Sequence, residues 1–178
     1  MNMKKTLAIT LAAVTLLGLA ACSKTQPAVQ PASTQKADVQ IQNPWTDYES
    51  PEAAEAAVGY EITIPESISG CSDKQYRAME QDGDTMLEVI YAADSEAETE
   101  AGRVRKVPGS EDISGDYNEY AEQQSMTVGS VSATCKGEGG LVKLAIWTDG
   151  VYAYSMSVSQ PQNTDAWTQI VKGVQVCS

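Results

Sequence analysis

A chain of 178 residues with 12 lysines and arginines against 24 aspartates and glutamates, a formal net charge of −12, is a poor partner for nucleic acid. It contains no histidine, which excludes a Ser-His-Asp or Cys-His catalytic set within the chain and any zinc site built on imidazole. Its length suits a targeting segment and one domain rather than two domains.

Residues 1–21 read as a signal peptide. Lys4 and Lys5 supply the positive start, and Thr6 to Leu17 is an apolar run of signal length, short of the ~20 residues a membrane-spanning helix needs. Leu19-Ala20-Ala21-Cys22 matches a lipobox. Cys22 is therefore expected to carry a diacylglyceryl group and to become the lipid-anchored first residue of an extracytoplasmic protein at the cell membrane. Two acyl chains hold where one is marginal. So acidic a chain is repelled by anionic head groups, and the lipid has to supply the attachment. Residues 22–42 are rich in Gln, Pro, Ala and Ser, lack aromatic residues, and read as a disordered tether. Residues 43–178 read as a single globular domain.

Within that domain, Ser50-Pro51-Glu52 starts a short helix: a hydroxyl cap, proline at the first helical position and an acid in the first turn. Gly59 ends it. The period then switches to two, so Tyr60, Ile62 and Ile64 predict a strand that Pro65 stops. Strands at 76–81 and 85–92 flank Asp82-Gly83, a type I′ hairpin signal. Residues 94–101 read as an acidic connection, and 102–107 as a strand carrying Arg103, Arg105 and Lys106. Residues 126–135 alternate, with an irregularity at Gly129-Ser130 read as a bulge. Lys136 to Gly140 reads as a turn. Val142, Leu144 and Ile146 are expected on one strand face, opposite Lys143, Ala145 and Trp147. After Asp149-Gly150, Tyr152, Tyr154, Met156 and Val158 line one face of the last strand. Asn163 or Thr164 then caps a helix that carries Trp167, Ile170, Val171 and Val174. The sum is an α+β fold: an antiparallel sheet of about six to seven strands, with the short N-terminal helix and the C-terminal helix packed on one face.

Three cysteines remain after Cys22: Cys71, Cys135 and Cys177. Cys71 and Cys177 lie outside predicted strands and form the preferred disulfide pair in an oxidising compartment. Three reduced thiols are the alternative. Cys135 shares a strand face with Val131 and Ala133 and reads as a small buried hydrophobe. The densest polar stretch runs from Gly109 to Tyr120. There Glu111, Asp112, Asp116 and Glu119 offer oxygens of the kind calcium takes, but not at EF-hand spacing, so no metal or other cofactor is expected. Asp112, Asp116, Tyr117 and Tyr120 from this stretch, with Trp147 and Tyr154 as a cross-strand aromatic pair, are the candidate ligand or partner surface; the alternatives are a structured loop whose tyrosines pack on the sheet and core or sheet-surface packing of the aromatic pair.

Asn43-Pro44-Trp45, Ile64-Pro65-Glu66, Asp112-Ile113-Ser114-Gly115-Asp116-Tyr117, Ala145-Ile146-Trp147-Thr148 and Tyr154-Ser155 occur in that order. The set resembles a group of lipid-anchored proteins of clostridia and related gut Firmicutes whose domain has no assigned function. The resemblance covers Asn43 to Val174 and implies a Gram-positive envelope, with no catalytic residues to carry over. The expectation is a non-enzymatic, membrane-tethered module that binds an envelope protein, a glycan or a small ligand. A carrier for an apolar ligand in a sheet–helix cavity is the alternative, and a carboxylate-dependent hydrolase is the third reading.

Overall fold

The computed structural model describes residues 43–95 and 98–174. Cys22, the signal segment, the tether and Cys177 lie outside the described residues. The fold is α+β, as the patterning predicts, with eight strands among the described residues: β1 (Trp45–Tyr48), β2 (Lys74–Gln81), β3 (Asp84–Ser95), β4 (Glu98–Pro108), β5 (Glu122–Val128), β6 (Val131–Glu138), β7 (Leu141–Thr148) and β8 (Tyr152–Gln162). Helix α1 (Pro51–Val58) follows β1, and α2 (Thr164–Val174) follows β8. One antiparallel sheet has the order β1-β2-β3-β4-β8-β7-β6-β5. Two four-stranded meanders are thus joined edge to edge where β4 pairs with β8.

The local signals act as expected at both helices. The Ser50 hydroxyl accepts from the Ala53 amide at 3.3 Å, and the Gly59 amide closes α1 on the Glu55 carbonyl at 2.8 Å. Asn163, rather than Thr164, caps α2: its Oδ1 accepts from the Ala166 amide at 2.9 Å. The β2–β3 turn has φ of 57° at Asp82 and 91° at Gly83, as a type I′ hairpin requires. This turn also sets the register, pairing Gln81 with Asp84 and Arg77 with Glu88.

Several expectations change. The strands number eight among the described residues rather than six to seven, and Lys136 to Glu138 continue β6, which leaves Gly139-Gly140 as the turn. Residues 60–64 alternate in burial, with Ile62 buried between exposed Glu61 and Thr63, yet form no strand. An extended chain alternates whether or not it pairs. Here side chains take over the ladder: the Glu55 carboxylate accepts from the Ile62 amide at 2.9 Å, and the Glu61 carbonyl accepts from Lys106 Nζ at 2.6 Å. Residues 94–101 extend β3 and β4 on either side of 96–97. Gly129-Ser130 is the turn of a β5–β6 hairpin, not a bulge. The irregularities fall instead at Lys136/Gly137 and Val142/Leu144. The second one flips the alternation of β7. Val142 therefore joins Ala145 and Trp147 in the core under the helices, while Leu144 lies on the opposite face.

Both helices contribute to a single core on one face of the sheet. Ala54 of α1 and Trp167, Val171 and Val174 of α2 pack with Leu87, Val89, Val104, Tyr154, Met156 and Cys135 from the strands. The Trp167 indole N–H donates to the Val142 carbonyl at 2.8 Å, so the largest buried side chain also satisfies an acceptor at the β7 irregularity.

Candidate binding groove

The other face of the sheet is organised by charge. Arg77 on β2, Glu88 on β3 and Arg105 on β4 are direct cross-strand partners, and Arg103 sits two residues along on the same face. Glu88 is fully buried. Its Oε1 accepts from Arg77 Nε at 2.9 Å and also from Arg77 Nη2. Its Oε2 accepts from Arg105 Nε at 2.6 Å and lies 3.6 Å from Arg103 Nη1. Arg103 also pairs with Glu100. Every arginine of the chain converges on this one carboxylate. The Trp45 ring completes the cluster, with the guanidinium carbons of Arg77 and Arg105 at 5.1 and 5.8 Å from its centre.

Residues 109–121 connect β4 to β5 and have to travel four strand spacings, roughly 19 Å at ~4.8 Å each. They do so as a strap across this charged face. Arg105 Nη1 donates to the Ser114 carbonyl at 2.6 Å and the Ile113 carbonyl at 3.3 Å. At the far side Lys136 of β6 meets Asp112 Oδ2 at 3.3 Å. Beneath the strap Leu144 and Ser155 are buried, although they face away from both helices. Gly115 has φ of 63°, a conformation that favours glycine, and a Cβ there would stand 2.9 Å from Arg105 Nη1, so a larger residue would strain the backbone and displace that guanidinium.

The strap is folded by its own side chains. Asp112 Oδ1 accepts from the Ser114 amide at 2.9 Å and the Ser114 hydroxyl at 2.7 Å. Asp116 Oδ1 accepts from the Asn118 amide at 2.8 Å and side chain at 2.7 Å, and the Tyr120 hydroxyl donates to Asp116 Oδ2 at 2.6 Å. These are Asx turns. Burial pushes the Asp112 carboxyl up, but the Ser114 donors and the Lys136 ammonium outweigh it and hold it below its ordinary range. Burial likewise opposes, and the Tyr120 and Asn118 donors with the Lys143 charge outweigh, for Asp116. Burial and the Asp116 carboxylate together push the Tyr120 hydroxyl up to about 12.

Between strap and sheet lies a groove of about 470 Å³, walled by Glu100 and Arg103 of β4, Ser157 of β8, and Ser114, Asp116 and Asn118 of the strap. Its size is within the 300–1,000 Å³ common for ligand sites. Tyr117 stands at the mouth with 95% of its surface exposed. The buried Nε of Arg103 has no hydrogen-bond partner among the described residues. A second cleft, of about 270 Å³, shares Asn118 with the first and is bordered by Tyr120, Leu141, Lys143 and Pro161.

The structure therefore brings together four of the six expected surface residues, Asp112, Asp116, Tyr117 and Tyr120, and separates the other two. Trp147 and Tyr154 are stacked, with ring centres 5.3 Å apart and planes 3° from parallel, but they belong to the helix-side core and are nearly fully buried. Large flat rings on a strand face covered by two helices fill the core instead of forming a contact surface. Arg103 lines the groove and Arg105 lies beneath the strap, whereas Lys106 points to the helix side. Cys135 is buried, as its strand face predicts, and Cys71 Sγ is 3.9 Å from Asp94 Oδ2. Glu111, Asp112, Asp116 and Glu119 are not gathered into a group able to hold a metal ion, nor is any such group present among the described residues.

Sequence reasoning missed Glu88, Arg77, Glu100 and Ser157. The Arg77–Glu88 pair had a signal: counting outward from Asp82-Gly83 places the two opposite each other. No family model, curated protein or solved structure matches this chain.

Proposed function

We propose that this chain is a membrane-tethered extracytoplasmic binding module without catalytic activity, and that its ligand is a glycan held between the strap and the sheet. The observation that carries this reading is the groove itself, a polar cleft with one fully presented aromatic ring at its mouth. A sugar offers hydroxyls that both donate and accept, and it has an apolar C–H face. The groove answers with donors on Arg103, Asn118 and Ser157, acceptors on Glu100 and Asp116, and the Tyr117 ring as a platform. One arginine against two carboxylates leaves the lining negative, which disfavours an anionic ligand. The anchor proposed at Cys22 follows from the lipobox. Among the described residues no helix is long and apolar enough to cross a membrane.

The hydrolase reading needs a carboxyl held protonated at the site. The groove's Asp116 is shifted the other way, below its ordinary range. The carrier reading draws no support from a sheet–helix interface occupied by Trp147, Tyr154 and Trp167.

The test is a glycan array probed with the full chain, extracted from membranes in detergent, followed by titration calorimetry on the best ligands. Saturable binding that Tyr117→Ala weakens about tenfold, the size of one good aromatic contact, supports the reading. An array with no signal above background removes it, as does a Tyr117→Ala protein that binds unchanged.

A further inference from the structure

The two clefts adjoin at Asn118. That residue lines both, and both are bordered by β8, the first at Ser157 and the second at Pro161. The second cleft, at about 270 Å³, is the smaller of the two. Its chemistry also differs. The first cleft is lined by charged and hydroxyl groups. The second presents Leu141, one of three large apolar side chains exposed on the described surface, together with Pro161 and the Tyr120 ring. Lys143 and Glu138 stand at its border.

The Tyr120 ring is held in place. Its hydroxyl is bound to Asp116, and Asp116 is bound to Asn118, so one hydrogen-bonded unit forms the shared wall of both clefts. A wall locked in this way keeps the two subsites at a constant separation, which suits a ligand of repeating units.

We infer that the groove takes an oligosaccharide of at least two units, in which the unit beyond Asn118 carries an N-acyl substituent. The acyl methyl lies against Leu141 and Pro161, and the acyl carbonyl accepts from the Lys143 ammonium. This rests on the glycan reading above and extends it from one sugar to a sequence of two.

The experiment is calorimetry of the full, detergent-extracted chain with four probes: N-acetylglucosamine, its β-1,4 dimer, glucose, and the β-1,4 glucose dimer. The N-acetylated dimer is expected to bind about tenfold tighter than its monomer, and the glucose dimer to show less than half of that gain on a logarithmic scale. Leu141→Ser, at the exposed first position of β7, is expected to erase the gain while leaving glucose affinity and the thermal midpoint unchanged. Tyr117→Ala is expected to weaken monomer and dimer alike. Equal affinity for monomer and dimer overturns the two-subsite inference and leaves the glycan reading standing, as does a Leu141→Ser protein that keeps the dimer advantage. No measurable binding of any of the four, together with a silent array, overturns both.

Discussion

The two faces of this sheet each bury a charge, one residue apart on the same pair of strands, and they do so by opposite means. Leu87 opposite Lys106 faces the helices, and Glu88 opposite Arg105 faces the strap. Lys106 is only 3% exposed. Its Nζ donates to the Glu61 carbonyl at 2.6 Å and lies 4.1 Å from the Tyr152 ring centre, 5.4 Å from that of Tyr154 and 5.6 Å from that of Tyr60. Burial lowers its pKa, and the more distant charges of Asp149, Glu55 and Glu61 work against that shift without cancelling it. Among the described residues no carboxylate pairs with it directly. Glu88, by contrast, is matched by guanidinium groups from two neighbouring strands. A long side chain with a point charge can be satisfied by one carbonyl and the electron-rich faces of rings. A short carboxylate cannot reach such partners and depends on donors brought to it. On the helix side stability therefore comes chiefly from packed volume, and on the strap side from a charge network.

The comparison can be broken at several points. Trp167→Ala empties the helix-side core and is expected to cost about 4 kcal/mol in urea unfolding, with an unchanged strap. Glu88→Gln keeps the volume but leaves Arg77, Arg103 and Arg105 without their shared anion, for an expected loss of ~3 kcal/mol. Lys106→Met removes the caged cation and its single carbonyl contact, and stability is expected to stay within ~1 kcal/mol of the parent. If Lys106→Met costs as much as Glu88→Gln, both faces depend on their buried charge alike.

Acid provides a gentler test of the strap. Asp112 and Asp116 have folded pKa values below their ordinary 3.8. Their contribution is thus fully present above 3.8 and is lost as pH falls through the lower folded values, because the unfolded chain takes up protons first. The parent should lose more stability between pH 7 and pH 3 than an Asp112→Asn, Asp116→Asn double variant does. Equal losses would show that the strap is not held by these two carboxylates. The smallest effect is expected at Tyr117: with its ring in solvent, Tyr117→Ala should shift unfolding by less than ~0.5 kcal/mol, and any larger shift would mean that the ring supports the fold.

Part of the site was legible. The Gly109 to Tyr120 stretch stands out by its Asx and glycine chemistry, and Asp116, Tyr117 and Tyr120 from it do line the clefts. The Arg77–Glu88 pair was readable from the turn between them. The rest was hidden by the irregularities of the sheet. The β3–β4 ladder carries register shifts at Tyr91/Ala92 and Ala92/Ser95, so no count along the chain places Arg105 beside Glu88. Trp147 and Tyr154 were readable as a pair, and core packing was one reading of that pair, but the choice between core and contact surface is made by the two helices that cover their face.

By itself, then, the sequence determined the elements with local causes: the Ser50 and Asn163 caps, the Asp82-Gly83 hairpin, the alternating strands, the α+β class and the stripe of α2. These follow from backbone sterics and side-chain reach within a few residues. The tertiary structure alone decided that β8 pairs with β4, that residues 60–64 run extended without a strand partner, that Val142 and Leu144 part to opposite faces, and that residues 109–121 close over the arginines. Each of these depends on which distant segment satisfies a buried polar group or fills a volume, and that choice is made only when the whole chain is in place.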